Sequence, residues 1–442
     1  MKPSSTIRGV RNPSAVLRHA GGEETQVLFS GLGLIAGRVA SMGLGFTSWL
    51  IAARLFSPAE VGLASGLVSA MMLCVQLALL GIGSAAIAAF PRHREARDRL
   101  FNTGATFVVV TSGLVGLGFL AVAALALDEL RVVTTPVYAA AFLAMTLFGT
   151  LNTYYDYVSI AIHRGAQVLL RNTAFGLVVI IGIVLMWWTS GVPGSLAIIV
   201  GWAVAGLVAC LLALSQLRRG VAALRPRADF ARPMARELVR AGIPNWMLTL
   251  TERAPALILP ILVTELLSPA TNAFWYAVWM MGWVVLIVPI SIGQTLFAEV
   301  SQHPDAIESA VTRAVRSSLL IGLIAAVGLA LVADVALGLL GPAYASAGAL
   351  PLRILVLSVI PVSAIQAYYA VCRARGALRE AVLTGAGAGA AALTITMLGG
   401  LGWGLMGMAL GWLAVQAVAA GWATLRIRTI ASRPIPEQLV PA

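Results

Sequence analysis

Arg38 and Arg253 interrupt long apolar stretches of the sequence, LGLIAGRVASMGLG and LTLTERAPALIL. A guanidinium is planar and permanently charged, and its N–H donors form a fork that matches phosphate or carboxylate oxygens two at a time. In apolar surroundings its natural chemistry is to hold an anion. Two carboxylates share the setting: Glu252 precedes Arg253, and Asp156 lies in NTYYDYVSIAIHR. The remaining reactive side chains point nowhere in particular. His19, His93, His163 and His303 have no partner at metal-ligand spacing, and Cys74, Cys210 and Cys372 lie far apart. Neither a metal site nor a disulfide framework is expected. GLGLIAG at 31–37 is glycine-rich but follows no strand, and the chain contains no phosphate loop, dinucleotide fingerprint or nucleophile elbow. No cofactor is expected.

The elements that hold these groups are membrane helices. Of the 442 residues, 59% are hydrophobic and 11% charged, and the mean hydropathy is +0.90. Runs such as TGATFVVVTSGLVGLGFLAVAALAL and SLLIGLIAAVGLALVADVALGLL exceed the roughly 18 apolar residues that cross a bilayer as helix. No segment alternates in the manner of a membrane barrel. The pattern predicts an all-α integral membrane protein of about twelve spans, near 27–53, 62–89, 101–127, 136–162, 168–190, 194–216, 241–266, 273–298, 315–339, 350–372, 381–399 and 403–424.

Charge gives the direction. Apart from Arg38, Arg54, Arg131, Arg253 and Arg353, every one of the 30 basic residues falls in the tails or in one alternate set of loops. The other set (SPAEV, DELRVVTTP, SGVPG, SPATN, GPAYASAG, GGLG) is short and nearly neutral. The positive-inside rule places both termini in the cytoplasm, as an even span count requires. The expected plan is a cytosolic tail (1–26), a six-helix lobe (27–216), a basic cytoplasmic linker (217–240), a second six-helix lobe (241–424) and a C-terminal tail (425–442). The linker arginines read as an orientation signal lying on anionic lipid headgroups rather than as a nucleic-acid site.

A charged side chain at the bilayer centre costs at least ~2.5–3.5 kcal/mol, so each one needs a reason. Arg38 lies roughly 16 Å into the first span at ~1.5 Å per residue, too deep to reach water along its own stem. Gly33, Gly37, Ser41 and Gly45 form a close-packing stripe around it, and Arg38 points about 100° away from that stripe. This favours a guanidinium facing a cavity over one buried in a structural ion pair. Arg253 sits at similar depth in the seventh span. Glu252 must diverge from its neighbour, and is expected to hold an arginine in the empty state, with Arg38 as candidate. Asp156 either faces the same cavity or reaches toward Arg164. Pro244, Pro255 and Pro260 should bend the seventh span. Gln76, Asn245, Ser291 and Gln294 could add polar lining, although each also reads as an ordinary interhelical hydrogen bonder.

The two halves echo each other. ARLFSPA (53–59) returns as TELLSPA (264–270), 211 residues later, and GIGSAAIAA (81–89) corresponds to SIGQTLFAE (291–299). A duplicated unit with an even number of spans keeps its orientation, so two pseudo-symmetric lobes should rock about a central cavity. Each Ser-Pro starts a helix, Ser as N-cap and Pro at N1. The mismatched charges Arg54 and Glu265 are expected to meet across the outer mouth when it closes.

Four groups of motifs resemble the polysaccharide-biosynthesis, Wzx-type flippase branch of the multidrug/oligosaccharidyl-lipid/polysaccharide exporter superfamily. They are LIAARLFSPAEVGLAS with LALLGIGSAAIAAFPR; YDYVSIAIHRGAQVLLRN; TERAPALILPILVTELLSPATNAFWYAVWMMGWVV with GQTLFAE; and LLGPAYASAGALPLRILVLSVIPVSAIQAYYAVCRARG. Their succession, more than any single motif, carries the resemblance. It implies a MATE-like, V-shaped pair of six-helix lobes whose first, second, seventh and eighth helices line a basic cavity. It also implies that a polyprenyl-diphosphate-linked oligosaccharide is moved to the outer leaflet of the cytoplasmic membrane by alternating access.

Arg38 and Arg253 match that lining by helix and depth, and an inside-negative potential would aid expulsion of an anion by roughly 2.3 kcal/mol per charge per 100 mV. Membrane lipids are further partners; a coupling ion and neighbouring polysaccharide-assembly membrane proteins are left open. Two rivals are weighed. A multidrug or cation antiporter of the same superfamily is kept in play by Glu252 and Asp156, and an integral-membrane glycosyltransferase or polymerase is disfavoured by short outer loops. The orientation is open to labelling: in cells, Ala343→Cys in GPAYASAG should react with an impermeant thiol reagent, and Ala377→Cys in RARGALRE should not.

Overall fold

The computed structural model describes residues 43–93, 95–162, 164–189, 191–219, 224–303 and 306–431. Arg38 therefore lies outside the described residues. All regular structure among them is helical. The end of the first span is α1 (43–55). There follow α2 (Pro58–Leu79), α3 (Ile82–Arg92), α4 (Arg97–Ala126), a 3-10 turn (Leu130–Thr134), α5 (Pro136–Ala161), α6 (Gly165–Trp188) and α7 (Gly194–Leu217). The second half comprises α8 (Arg232–Leu266), α9 (Pro269–Gln302), α10 (Ile307–Leu331), α11 (Ala333–Gly338), α12 (Pro342–Leu355), α13 (Val359–Ala374) and α14 (Leu378–Ala431).

Ten of these helices, or continuous helix pairs, are long and apolar enough to span a membrane. α14 counts once although it turns back on itself. Trp403 and Gly404 leave helical geometry, and Gly399 and Gly407 meet backbone to backbone beside the turn. Its two arms are the expected eleventh and twelfth spans, and α1 is the visible part of the first. The architecture is the expected all-α, two-lobed one, with α1–α7 in one lobe and α8–α14 in the other.

Local sequence explains the helix starts. Ser57 caps α2, with Glu60 completing a capping box and Pro58 opening the first turn. Ser268 and Pro269 do the same for α9, where the Ser268 side chain accepts from the Thr271 amide. Both satisfy backbone donors that a helix start leaves unpaired.

The copies part company further along. The second span breaks between α2 and α3, where Leu80 and Gly81 adopt positive φ, 42° and 79°. A Cβ on Gly81 would fall 2.4 Å from the carbonyl of Gly242 in α8, and one on Gly242 would meet Gly81 at 2.3 Å. Gly81 therefore supplies both the left-handed turn and the close approach. Its echo, Ser291, lies inside unbroken α9. The indole Nε1 of Trp246 donates to the Gln76 carbonyl at 2.6 Å, beside the break.

The lobes meet chiefly through α2 and α3 on one side and α8 and α9 on the other. At the Ser-Pro end, a Cβ on Gly62 would lie 1.6 Å from the carbonyl oxygen of Pro269. There Asn272 donates to the Gly62 carbonyl at 2.9 Å and to Ser65 at 3.0 Å. Trp49 of α1 packs on Tyr276 of α9, ring centroids 4.8 Å apart.

At the arginine-rich end, the chain before α8 is stitched to α4. Asn102 donates to the Arg225 carbonyl and accepts from the Arg227 amide, while Thr103 accepts from Ala231 and Asp98 from Arg225. α8 then runs 35 residues as one helix despite Pro244, Pro255 and Pro260.

Candidate functional site

Asp156 does not reach for Arg164. Its carboxylate bonds Arg171 Nη2 at 2.5 Å. Arg171 also donates to Gln216 Oε1 at 2.7 Å and Ser159 Oγ at 3.1 Å, and its side chain is 0% exposed. Arg164 instead donates to the carbonyls of Gln216 and Arg219.

The geometry follows from the hairpin of α5 and α6. Asp156 precedes the end of α5 by about as much as Arg171 follows the start of α6, so the two side chains are level. Reading Arg171 as a loop arginine missed this, though its equal distance from the turn was visible in the sequence. The result is a closed network inside the first lobe, joining α5, α6 and α7.

Glu252 and Arg253 diverge as helical neighbours must. Glu252 accepts from Arg373 Nη2 through both oxygens, at 2.9 and 3.0 Å. Arg373 belongs to the last turn of α13; Arg38, the candidate the sequence offered, lies outside the described residues. Gly385 and Gly389 let α14 close against Thr251 and Pro255 at this level, since a Cβ on either would lie 2.9 Å or less from those side chains. Arg253 itself is exposed and makes no hydrogen bond or ion pair with another described residue. Arg353 of α12 is held by Asp334 and the Ala330 carbonyl.

The expected polar lining is mixed. Asn245 and Gln294 are exposed and Gln76 is half-buried. Gln76 contributes its backbone carbonyl to Trp246, and the Asn245 carbonyl accepts from Thr249 within the helix. At the start of α8, Arg232, Arg236 and Arg240 recur every four residues, on one side of the helix. They line an open surface hollow of about 840 Å³ together with Pro233, Glu237 and Ala241. Glu237 is engaged by His93 at 3.1 Å, whereas the three arginines bond no described residue.

Arg54 and Glu265 do not meet; each grips the backbone of the opposite lobe. Arg54 donates from Nε to the Leu339 carbonyl at 2.7 Å and from Nη2 to Gly338 at 3.1 Å, the carbonyl end of α11. Glu265 accepts from the amides of Asp128, Glu129 and Leu130 at 2.8, 3.2 and 2.7 Å, the amide end of the 3-10 turn. The offset of 211 that maps Arg54 onto Glu265 also maps Asp128 onto Leu339. These are two copies of one contact. Their charges are opposite because one copy faces unpaired carbonyls and the other unpaired amides, which call for opposite partners.

The buried and exposed arginines should behave differently. Arg171→Ala strands a carboxylate in the first lobe, a loss of about 3–5 kcal/mol, and should sharply lower the melting temperature of purified protein. Arg253→Ala should leave melting unchanged; equal losses would contradict the division.

A family model described as polysaccharide biosynthesis protein matches residues 29–297. No curated protein sequence matches the chain. Among solved structures, the inward-facing conformation of a multidrug resistance MATE family transporter of the MOP superfamily superposes with a TM-score of 0.73 at 15% identity, covering 88% of this chain and 95% of that one. The outward-facing conformation of a MATE transporter gives 0.63 at 15% identity, covering 91% and 96%. A MOP superfamily transporter from Pyrococcus furiosus, whose binding pocket of reverse polarity suggests a different function, gives 0.63 at 14% identity, covering 91% and 95%. At these identities the likeness is one of fold. The family match runs from the first span through most of α9, and the chain belongs to the polysaccharide biosynthesis protein family, with a fold like that of the MATE transporter structures.

Proposed function

We propose that this membrane protein carries a polyprenyl-diphosphate-linked oligosaccharide from the inner to the outer leaflet of the cytoplasmic membrane by alternating access, with its arginine-rich end and both termini in the cytoplasm. The observation that carries the reading is the charge left over among the described spans. Asp156 and Glu252 are each neutralised by an arginine, while Arg253 is exposed and unpaired. Such a site draws in an anion. A cation antiporter would need the reverse, a free carboxylate, and that disfavours the multidrug alternative. The ladder of Arg232, Arg236 and Arg240 adds positive charge where a diphosphate in the inner leaflet would approach.

Alanine at either Arg38 or Arg253 should abolish accumulation of extracellular glycan while leaving the protein in the membrane. Normal export in both variants would remove Arg38 and Arg253 from the site.

The contacts of Arg54 and Glu265 would serve as paired latches that hold the outer mouth shut. Ser65 is buried beneath that mouth beside Asn272, so Ser65→Cys reports on opening. An impermeant maleimide should label it slowly in the parent background and several-fold faster when Arg54→Ala or Glu265→Ala is added. Unchanged labelling rates would leave the two contacts without a gating role.

A further inference from the structure

Glu252 uses Arg373 incompletely. Both carboxylate oxygens share the single nitrogen Nη2, where a lasting ion pair takes two parallel bonds from the guanidinium fork. Arg373 Nε is buried without a partner, and Nη1 bonds no described residue. Both side chains are 19% exposed. Arg171, whose Nε is likewise buried without a partner, differs in engaging both terminal nitrogens, with Asp156, Ser159 and Gln216. One guanidinium is engaged at both terminal nitrogens and the other is held by one corner.

The neighbourhood adds a second cation. Arg253 follows Glu252 on α8, lies exposed and bonds no described residue, although its field reaches the Glu252 carboxylate. One acid therefore lies in the field of two guanidiniums and is hydrogen-bonded to one of them. A phosphate group has more acceptor oxygens than a carboxylate and can take a fork of Arg373 while a second oxygen turns to Arg253.

We infer that Glu252 is an internal counter-ion that stands in for the anionic head of the substrate, and that Arg373 is a substrate-binding residue from which a phosphate group displaces it. The inference rests on the flippase reading and names a further residue of that site. It gives the pair a role in the cycle. With substrate absent, Glu252 neutralises Arg373 at the end of α13. With substrate present, Arg373 and Arg253 are both turned to the diphosphate. Glu252 thus sets affinity by competition, keeping binding weak enough for release on the far side.

Competition has a signature that a purely structural ion pair lacks: its two partners act with opposite sign. Binding of farnesyl diphosphate to the purified full-length protein in nanodiscs can be read by tryptophan fluorescence, with farnesol as the control lacking phosphate. Glu252→Gln, close in shape to the parent, should bind farnesyl diphosphate about tenfold more tightly, and Arg373→Gln should bind it about tenfold more weakly or worse. Arg373→Lys, which keeps the charge and loses the fork, should also weaken binding and serves if Arg373→Gln does not fold. Farnesol binding should be the same in all variants. If the parent binds farnesyl diphosphate and Glu252→Gln binds it no more tightly, the counter-ion role is overturned while the flippase reading stands. If neither the parent nor Glu252→Gln prefers the diphosphate to farnesol, the flippase reading itself fails.

Discussion

Two places where backbone touches backbone set the relation between the lobes. Gly62 lies against Pro269 near the Ser-Pro end, and Gly81 lies against Gly242 toward the arginine-rich end. At both, a single added carbon would collide with main-chain atoms that cannot step aside. The line of α2 and α3 can therefore lie flush against α8 and α9, and everything built on those helices inherits its position from these contacts. Asn272 bridges to Gly62 and Ser65 only because the chains are this close, and Trp246 reaches the Gln76 carbonyl for the same reason.

The duplicated halves obey one plan and depart from it where their environments differ. Arg54 and Glu265 occupy the same place in the repeat and make the same cross-lobe contact, yet one faces the carbonyl end of α11 and the other the amide end of a 3-10 turn. Opposite charge is the symmetric answer to opposite backbone polarity. Gly81 and Ser291 show the converse. The same motif position is a break with positive φ in one lobe and continuous helix in the other, and the broken copy has another main chain pressed against it.

Charge within the spans is organised by enclosure. The Arg171 guanidinium is sealed inside one lobe, where with Asp156 it joins three helices. Glu252 and Arg373 meet through a single guanidinium nitrogen beside an unpaired Arg253. A buried pair loses much when one partner is removed but contributes little as a whole, so partial solvation and spare donors are what fit the second pair to exchange partners. The chain leading into α8 is hydrogen-bonded to Asn102, Thr103 and Asp98 of α4, which ties the arginine ladder of the second lobe to the first.

Much of the architecture was legible in the residues alone. Apolar run length and the one-sided arginines are direct consequences of bilayer thickness and charge cost, so span positions, lobes and helix starts could be read without coordinates. Ser57 and Ser268 cap helices as their local sequence requires. The divergence of Glu252 from Arg253 follows from helical geometry and holds. Partner choice was not legible. Arg171 rather than Arg164 bonds Asp156, Arg373 bonds Glu252, and Arg54 and Glu265 each take backbone of the far lobe instead of one another. The sequence determined where charge enters the membrane, because that cost depends on each residue's own depth; only the tertiary structure decided which charges meet, because that depends on the approach of helices far apart in the chain.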